Sequence, residues 1–226
     1  MTTAYNDLGD TVLAAEGVYV PQQDSYLLLD LLGQVGAAAG QRVADLCTGS
    51  GVLAIGAAQQ GAAAVTAFDI CPRAVRCARA NALAAGVQID VHLGSWTRAL
   101  EFRPFDIVVC NPPYVPTDGE TIADSGPAWA WDAGTDGRLV LDPLCEAAPA
   151  LLDDSGTILL VQSEFSDVDK TLASLRSGAL DTEVIARQLI PFGPVLAARA
   201  DWLERTGRLP VGRREEELVV IRAEKR

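Results

Sequence analysis

Five short runs rich in β-branched residues, Arg42–Leu46, Ala64–Phe68, Asp90–Leu93, Asp106–Cys110 and Thr157–Gln162, alternate with Ala- and Leu-rich stretches of helical length. A chain that changes hydrophobic period in this way can bury both kinds of element only as a mostly parallel sheet with helices on its two faces. Helices are predicted near Gly51–Gln60, Pro72–Ala85 and Leu139–Leu152. Pro72 suits a first helical turn and Gly86 a helix stop. Beyond the fifth run the pattern predicts a helix near Asp167–Ser177, a strand near Glu183–Gln188, a segment broken by Pro and Gly, and a last strand near Glu217–Arg222. No helix is required between the last two strands, which can pair antiparallel as a long-looped hairpin at one sheet edge. The expected fold is therefore α/β and Rossmann-like, with a mostly parallel seven-stranded sheet, an antiparallel edge strand and helices on both faces.

With 226 residues, 49% of them hydrophobic, the chain supports one such unit and is too short for two. Residues 1–40 read as an N-terminal segment and first helix lying over the ligand site, and residues 41–226 as the Rossmann-like part of a single domain. Thirty acidic residues against 18 Lys and Arg give a net charge of -12, which disfavours a phosphate backbone as partner. The basic stretch Arg205–Arg214 reads first as a solvated loop, with a local contact to RNA as the alternative. Five cysteines without a C-x-x-C pair point to reduced thiols and to neither a disulfide framework nor a metal site. The single histidine, His92, sits in an apolar run and reads as a core or rim residue, so mechanisms needing a histidine base are disfavoured. No signal segment and no apolar run near the length of a membrane span is seen, so a cytoplasmic location with no membrane partner is expected.

The first strand runs into Asp45-Leu-Cys-Thr-Gly49-Ser-Gly51 and then a helix, which brings backbone amides to a ligand at a helix start. The second strand is followed by Asp69, placed to accept hydrogen bonds from the hydroxyls of a ribose. Gly49-Ser-Gly51-Val-Leu-Ala54 also satisfies a dinucleotide fingerprint, so spacing leaves NAD and S-adenosylmethionine both open. Asp45 favours S-adenosylmethionine, because a carboxylate opposes a pyrophosphate and welcomes an α-ammonium.

The fourth strand ends in Asn111-Pro112-Pro113-Tyr114. Prolines fix φ and remove donors, which leaves carbonyls free to accept from outside the chain. The Asn111 side-chain oxygen and the Pro112 carbonyl can together hold the two hydrogens of an NH2 group. That grip restores electron density to a conjugated nitrogen and aims its lone pair, with no ionisable base needed. Tyr114 is expected to pack its ring on the flat face of the acceptor. Asn111, Pro112 and Tyr114 are thus the candidate catalytic residues, and Asn111 to Tyr114 the acceptor site. The irregular stretch Val115–Gly137, with two tryptophans, is the candidate substrate-facing loop or lid.

These motifs, together with Tyr19-Val-Pro21-Gln-Gln-Asp24-Ser25 and Gly134-Thr-Asp-Gly137-Arg138, make the chain resemble the HemK-like N5-glutamine methyltransferases. The resemblance implies an S-adenosylmethionine cofactor held by Asp45, Gly49, Gly51, Asp69 and Asn111, with further contacts from Ser25, Cys47, Ile70, Ser95 and Trp96. It implies a glutamine acceptor in the Gly-Gly-Gln loop of a translation release factor. Two departures stand out. About 40 residues precede the first strand, where bacterial members carry a helical docking domain, so the chain is similar to the compact branch that works with a small zinc-binding activator subunit. Ser95 stands where the family often has an acidic residue near the adenine amino group. Adenine-N6 or guanine-N2 methylation of nucleic acid, methylation of a small metabolite, and cofactor binding without turnover as a scaffold subunit remain alternatives, since an exocyclic amine is also a flat, conjugated NH2.

Overall fold

The computed structural model describes residues 12–34, 38–119 and 127–226. Residues 1–11, 35–37 and 120–126, which include parts of the N-terminal segment and of the expected lid, lie outside the described residues.

In chain order the elements are α1 (Gln23–Gln34), β1 (Arg42–Leu46), α2 (Val52–Gln59), β2 (Ala64–Asp69), α3 (Pro72–Ala84), β3 (Asp90–Leu93), α4 (Trp96–Ala99) and β4 (Phe105–Cys110). There follow α5 (Leu141–Leu151), β5 (Leu152–Ser163), α6 (Val168–Ser177), β6 (Leu180–Pro191), α7 (Pro194–Arg205) and β7 (Glu215–Lys225). The seven strands form one sheet in the order β3-β2-β1-β4-β5-β7-β6. Strands β1 to β5 pair in parallel, and β7 is antiparallel to both β5 and β6. The antiparallel pairing thus lies at one end of the sheet as expected, with the reversed strand β7 inserted next to the edge strand β6.

Strand order reverses between β1 and β4, and this places the site. Leu46 pairs with Phe68 on one side and with Cys110 on the other. The chain segments leaving β1, β2 and β4 therefore emerge side by side at the carboxyl ends of the strands, where open α/β sheets bind ligands.

The core fills both faces of the sheet. One cluster, around Leu141, Leu144, Leu151, Leu160 and Leu203, packs α5 and α7 on one side. The other, around Leu28, Leu29, Leu32, Ile55 and Val109, packs α1 and α2 on the opposite side. Helix α2 is buried at six successive positions, Val52 to Ala57, because α1 covers the face that a peripheral helix would expose to water.

Two helices were missed by sequence reasoning, the single turn α4 and the longer α7. The segment after β6, read as broken by Pro and Gly, holds helix α7. Gly193 is extended, Pro194 occupies the first turn, and Leu196, Ala200 and Leu203 then bury one stripe. Pro and Gly here mark a helix start rather than an interruption. The last two strands are each longer than the apolar periodicity suggests, since charged residues at their ends still pair across the hairpin, as in Asp181 opposite Glu224 and Ile190 opposite Glu216.

His92 stacks with Phe68 at a ring separation of 5.5 Å and lies 4.4 Å from Phe102, a packing role as the sequence suggests. In the basic stretch, Arg213 pairs with Glu164 and Arg214 with Glu204, so two of its charges are already spent on the protein. Among the described residues no helix is long and apolar enough to cross a membrane.

Candidate active site

Two cavities open at the carboxyl end of the sheet. The first, about 190 Å³, is lined by the β1 loop (Cys47, Thr48, Gly49, Ser50), by Asp69 and Ile70 after β2, and by Ser95 and Trp96 after β3. Gly17 to Tyr19 and Pro21 of the N-terminal segment, Ser25 of α1, and Trp129 complete it. The second, about 280 Å³, is lined by Pro112, Tyr114, Asp24 and Trp131, and by a wall from Ile190 to Leu196. The two share Tyr19, Asn111 and Ala130, so Asn111 stands at their junction.

Hydrogen bonds fix the way Asn111 faces. The Asp24 carboxylate, an acceptor only, receives Tyr19 Oη and Tyr114 Oη on Oδ2, both at 2.9 Å. Its Oδ1 receives the Ser25 backbone N–H at 2.6 Å and Ser25 Oγ at 3.3 Å. With its proton committed to Asp24, Ser25 Oγ accepts from Asn111 Nδ2 at 3.1 Å. The amide's donor end is thus held by Ser25, and Oδ1 is the end available to a ligand. Because α1 begins at Gln23, Asp24 and Ser25 fall in its first turn, where a carboxylate is also favoured by the helix dipole. Burial, reinforced by Asp24, pushes both tyrosine hydroxyls far above the ordinary phenol range, so they remain donors at any working pH.

Tyr114 has a further part that its sequence position does not show. It is 7% exposed, with its hydroxyl tied to Asp24 and its ring forming part of the second cavity's wall. Its first task is to anchor the Asp24 network. The stretch behind it is pinned as well: Val115 N–H donates to the Trp131 carbonyl, Ala133 N–H donates to the Val115 carbonyl, and Arg199 donates to the Pro116 carbonyl at 2.8 Å and to Asp132. Gly137 (φ 74°) passes so close that an added Cβ would lie 2.5 Å from the Tyr114 carbonyl oxygen. Arg138, 2% exposed, bonds Asp142 at 2.7 Å, the Asp167 carbonyl at 2.8 Å and Thr171 at 3.0 Å. The Gly134–Arg138 motif therefore buttresses the Asn111 turn from behind and faces neither cavity.

Most of the residues anticipated from sequence line a cavity, and two do not. Ser25, Cys47, Gly49, Asp69, Ile70, Ser95, Trp96, Asn111 and Pro113 line the first. Asp45 is fully buried beneath the loop, where Oδ2 accepts from Thr48 Oγ1 at 2.6 Å and from the Ala54 N–H at 3.0 Å. It shapes the loop and caps α2 instead of standing at the mouth; Oδ1 is left without a partner. Gly51 (φ 88°) also lies off the cavity, because it is where α3 crosses the loop: a Cβ there would meet Ala78 Cβ at 3.0 Å. Sequence reasoning gave no role to Gln22 and Gln23, which lie within the Tyr19–Ser25 motif, and did not single out Phe192, Pro194 or Glu216. The last three lie near the C-terminus, remote in sequence from every motif, and Glu216 sits in the acidic run Glu215–Glu217. The two tryptophans of the expected lid do reach the cavities, Trp129 the first and Trp131 the second.

Two carboxyls here titrate near neutrality. Burial pushes Asp45 up to about 7, with the Thr48 and Ala54 bonds opposing and Asp69 adding to the rise. Burial likewise pushes Glu216 up to about 7, with Ser163 and Arg213 opposing and Asp24 and Glu164 adding. A carboxyl whose folded-state pKa is raised stabilises the fold fully below its unfolded value, and that stability is lost as pH climbs through the folded value. Glu216→Gln is therefore expected to gain on the parent chain between pH 5 and 8, by on the order of 2 kcal/mol at the upper end, in urea unfolding compared at each pH. A difference that stays constant with pH would contradict the burial argument.

The first cavity suits an adenosyl cofactor. Asp69 on its wall accepts from Gly49 N–H at 2.9 Å and from Cys71 N–H at 2.8 Å, which holds the carboxylate rigid while each oxygen keeps a lone pair for a hydroxyl. Burial raises its pKa and these two amides draw it down again. Trp96, Ile70, Leu53 and Val140 supply flat and apolar wall for a base. The fold and these adjoining cavities fit an S-adenosylmethionine-dependent methyltransferase.

Comparison with known proteins narrows the class. The sequence profile described as the methyltransferase small domain matches residues 11–125. A protein of Methanocaldococcus jannaschii, provisionally named a protein N5-glutamine methyltransferase, is 32% identical over 183 residues, covering 81% of this chain and 91% of that protein. The release factor glutamine methyltransferase of Deinococcus radiodurans is 36% identical over 171 residues, 73% of this chain and 61% of that one. In three dimensions the chain is similar to a chain in the structure of the E. cuniculi Mtq2-Trm112 complex, responsible for methylating the eRF1 termination factor. The TM-score is 0.63 at 23% identity, covering 93% of this chain and 99% of that one. The chain belongs to the methyltransferase small domain family, and within it to the HemK-type N5-glutamine methyltransferases.

Proposed function

We propose that this enzyme methylates the side-chain amide nitrogen of a glutamine in a translation release factor. The observation that carries the reading is the position of Asn111: it stands where the two cavities meet, with its donor end held by Ser25 and its acceptor end free for an NH2 group. S-adenosylmethionine, when bound, supplies an electrophilic methyl on a sulfonium. Asp69 would hold the ribose hydroxyls, Gly49 and Cys47 would bring loop backbone to the methionine portion, and Trp96 with Ile70 would flank the base. The buried Asp45 Oδ1, an unmet acceptor under the loop, would answer an ammonium only from below.

In the second cavity Asn111 Oδ1 and the Pro112 carbonyl would accept the two amide hydrogens. An amide nitrogen is a poor nucleophile because its lone pair is delocalised, and this grip localises and aims it. Tyr114 and Trp131 would wall the acceptor and exclude water. The N-terminal segment from Gly17 to Pro21 would cover the cofactor. The names of the relatives favour a release factor as acceptor, and the Mtq2-Trm112 likeness favours a small partner subunit, which we take to be a zinc-binding activator. A cytoplasmic location follows from that substrate.

The test is incubation of the purified chain with methyl-labelled cofactor and, separately, release factor, tRNA, DNA and a metabolite extract, each with and without such a partner. Label confined to a glutamine side chain of the release factor is expected. Label in nucleic acid or a metabolite would replace the reading, and label in no fraction would make the chain a binding scaffold. Asp69→Ala is expected to weaken cofactor binding by about 1.5 to 3 kcal/mol, the scale of hydrogen bonds to a charged group. Titration calorimetry giving an unchanged Kd would remove Asp69 from the ribose.

A further inference from the structure

Glu216, near the start of β7, forms part of the second cavity's wall and has no role in the scheme above. It is 5% exposed, and its Oε2 is buried with no hydrogen-bond partner. Ser163 hydrogen-bonds the carboxyl yet leaves Oε2 unmet, and the other groups around it do not supply a donor. Arg213 gives its two terminal nitrogens to Glu164, at 3.2 and 2.5 Å. Asp24, the other carboxylate in the wall, already holds four hydrogen bonds and can only repel it. Tyr19 and Tyr114, the remaining titratable neighbours, have spent their hydroxyl protons on Asp24.

A buried acceptor stripped of water and left without a donor is uncommon, and in a cavity wall the missing donor is most simply a ligand's. The ligand's chemistry is constrained. A carboxyl next to a second carboxylate rejects phosphate and carboxylate groups, and it selects an N–H. The neighbouring wall, Ile190, Phe192, Leu196 and Trp131, is apolar, so an N–H entering it has no water to fall back on.

We propose that Glu216 is a specificity-determining residue that accepts, at Oε2, a hydrogen bond from a backbone N–H of the acceptor peptide. The proposal rests on the peptide-amide reading given above. It separates two tasks within the second cavity: Asn111 and Pro112 grip the reacting amide, and Glu216 fixes the chain that carries it. Protonation of the carboxyl would turn part of this acceptor into a donor, so peptide binding should weaken as pH falls through about 7, the value to which burial raises Glu216.

The test is calorimetric titration of an N-acetylated Gly-Gly-Gln amide, at millimolar concentration with S-adenosylhomocysteine present, into the parent chain, Glu216→Met and Glu216→Gln at pH 6 and pH 8. At pH 8 the Met variant, similar in size but without an acceptor, is expected to bind at least about tenfold more weakly. The Gln variant, a neutral acceptor, should recover most of the affinity and lose the difference between the two pH values. Equal binding by the Met variant, a pH dependence that persists in the Gln variant, or no binding by the parent chain would each overturn the proposal. Should the Met variant fail to fold, the pH profile of the Gln variant decides. Methyl transfer to a release factor is read in parallel on the parent chain: its absence refutes the substrate reading, while the titration still decides Glu216.

Discussion

Replacing Asn111 by alanine is expected to lower the turnover of methyl transfer at least about 100-fold, the scale of losing one positioned polar group at a reacting centre. Cofactor affinity should stay within a few-fold, because the carboxylate, glycine backbone and apolar wall of the first cavity are untouched by the change. The split follows from where the residue sits. The residue lines both cavities, its nitrogen is held by Ser25, and in the proposed reading only the free oxygen meets the acceptor. Stopped-time transfer assays and cofactor titration on the same preparation check this, and equal loss of rate and affinity would show that Asn111 mainly holds the cofactor.

Asp24→Ala is expected to have the largest effect on stability. The substitution removes the acceptor for Tyr19, Tyr114 and both donors of Ser25, and leaves the buried hydroxyl of Tyr114 and the half-buried one of Tyr19 without that partner. Hydrogen bonds to a charged group count for more than neutral ones, and orphaned donors add their desolvation cost, so a loss of about 3 kcal/mol or more in urea unfolding follows. Turnover should fall as well, by roughly tenfold or more beyond any loss of folded protein, because Ser25 no longer fixes which end of Asn111 faces the acceptor. A variant as stable as the parent would mean that water replaces the carboxylate, and that the tyrosines do not depend on it.

The parallel part of the fold was legible because its signals are local. Each of the first four strands is a short β-branched run with a breaker after it, and the observed bounds of β1 and β3 coincide with those runs. Helix α7 was not legible, since Gly193 and Pro194 punctuate a helix start and a loop alike, and only the buried stripe of Leu196, Ala200 and Leu203 distinguishes them. The same division holds at the site. Asn111 to Tyr114 and the β1 loop announce themselves by residue type and spacing. Asp45 and Gly51 belong to the same motif, but what surrounds them is set by the packing of α2 and α3, which no spacing rule reveals. Glu216 and the wall from Ile190 to Leu196 come to Asn111 only because β7 reverses between β5 and β6, a tertiary event with no local signature.

The most direct test is a crystal structure of the chain with a non-reactive adenosylmethionine analogue and the acetylated Gly-Gly-Gln amide. The account predicts the adenosyl group against Asp69 and Trp96, the glutamine amide in the neighbouring cavity, and Asn111 Oδ1 within hydrogen-bond distance of its nitrogen. An analogue bound elsewhere, or an Asn111 whose oxygen has turned to Ser25 and whose nitrogen faces the peptide, would contradict it.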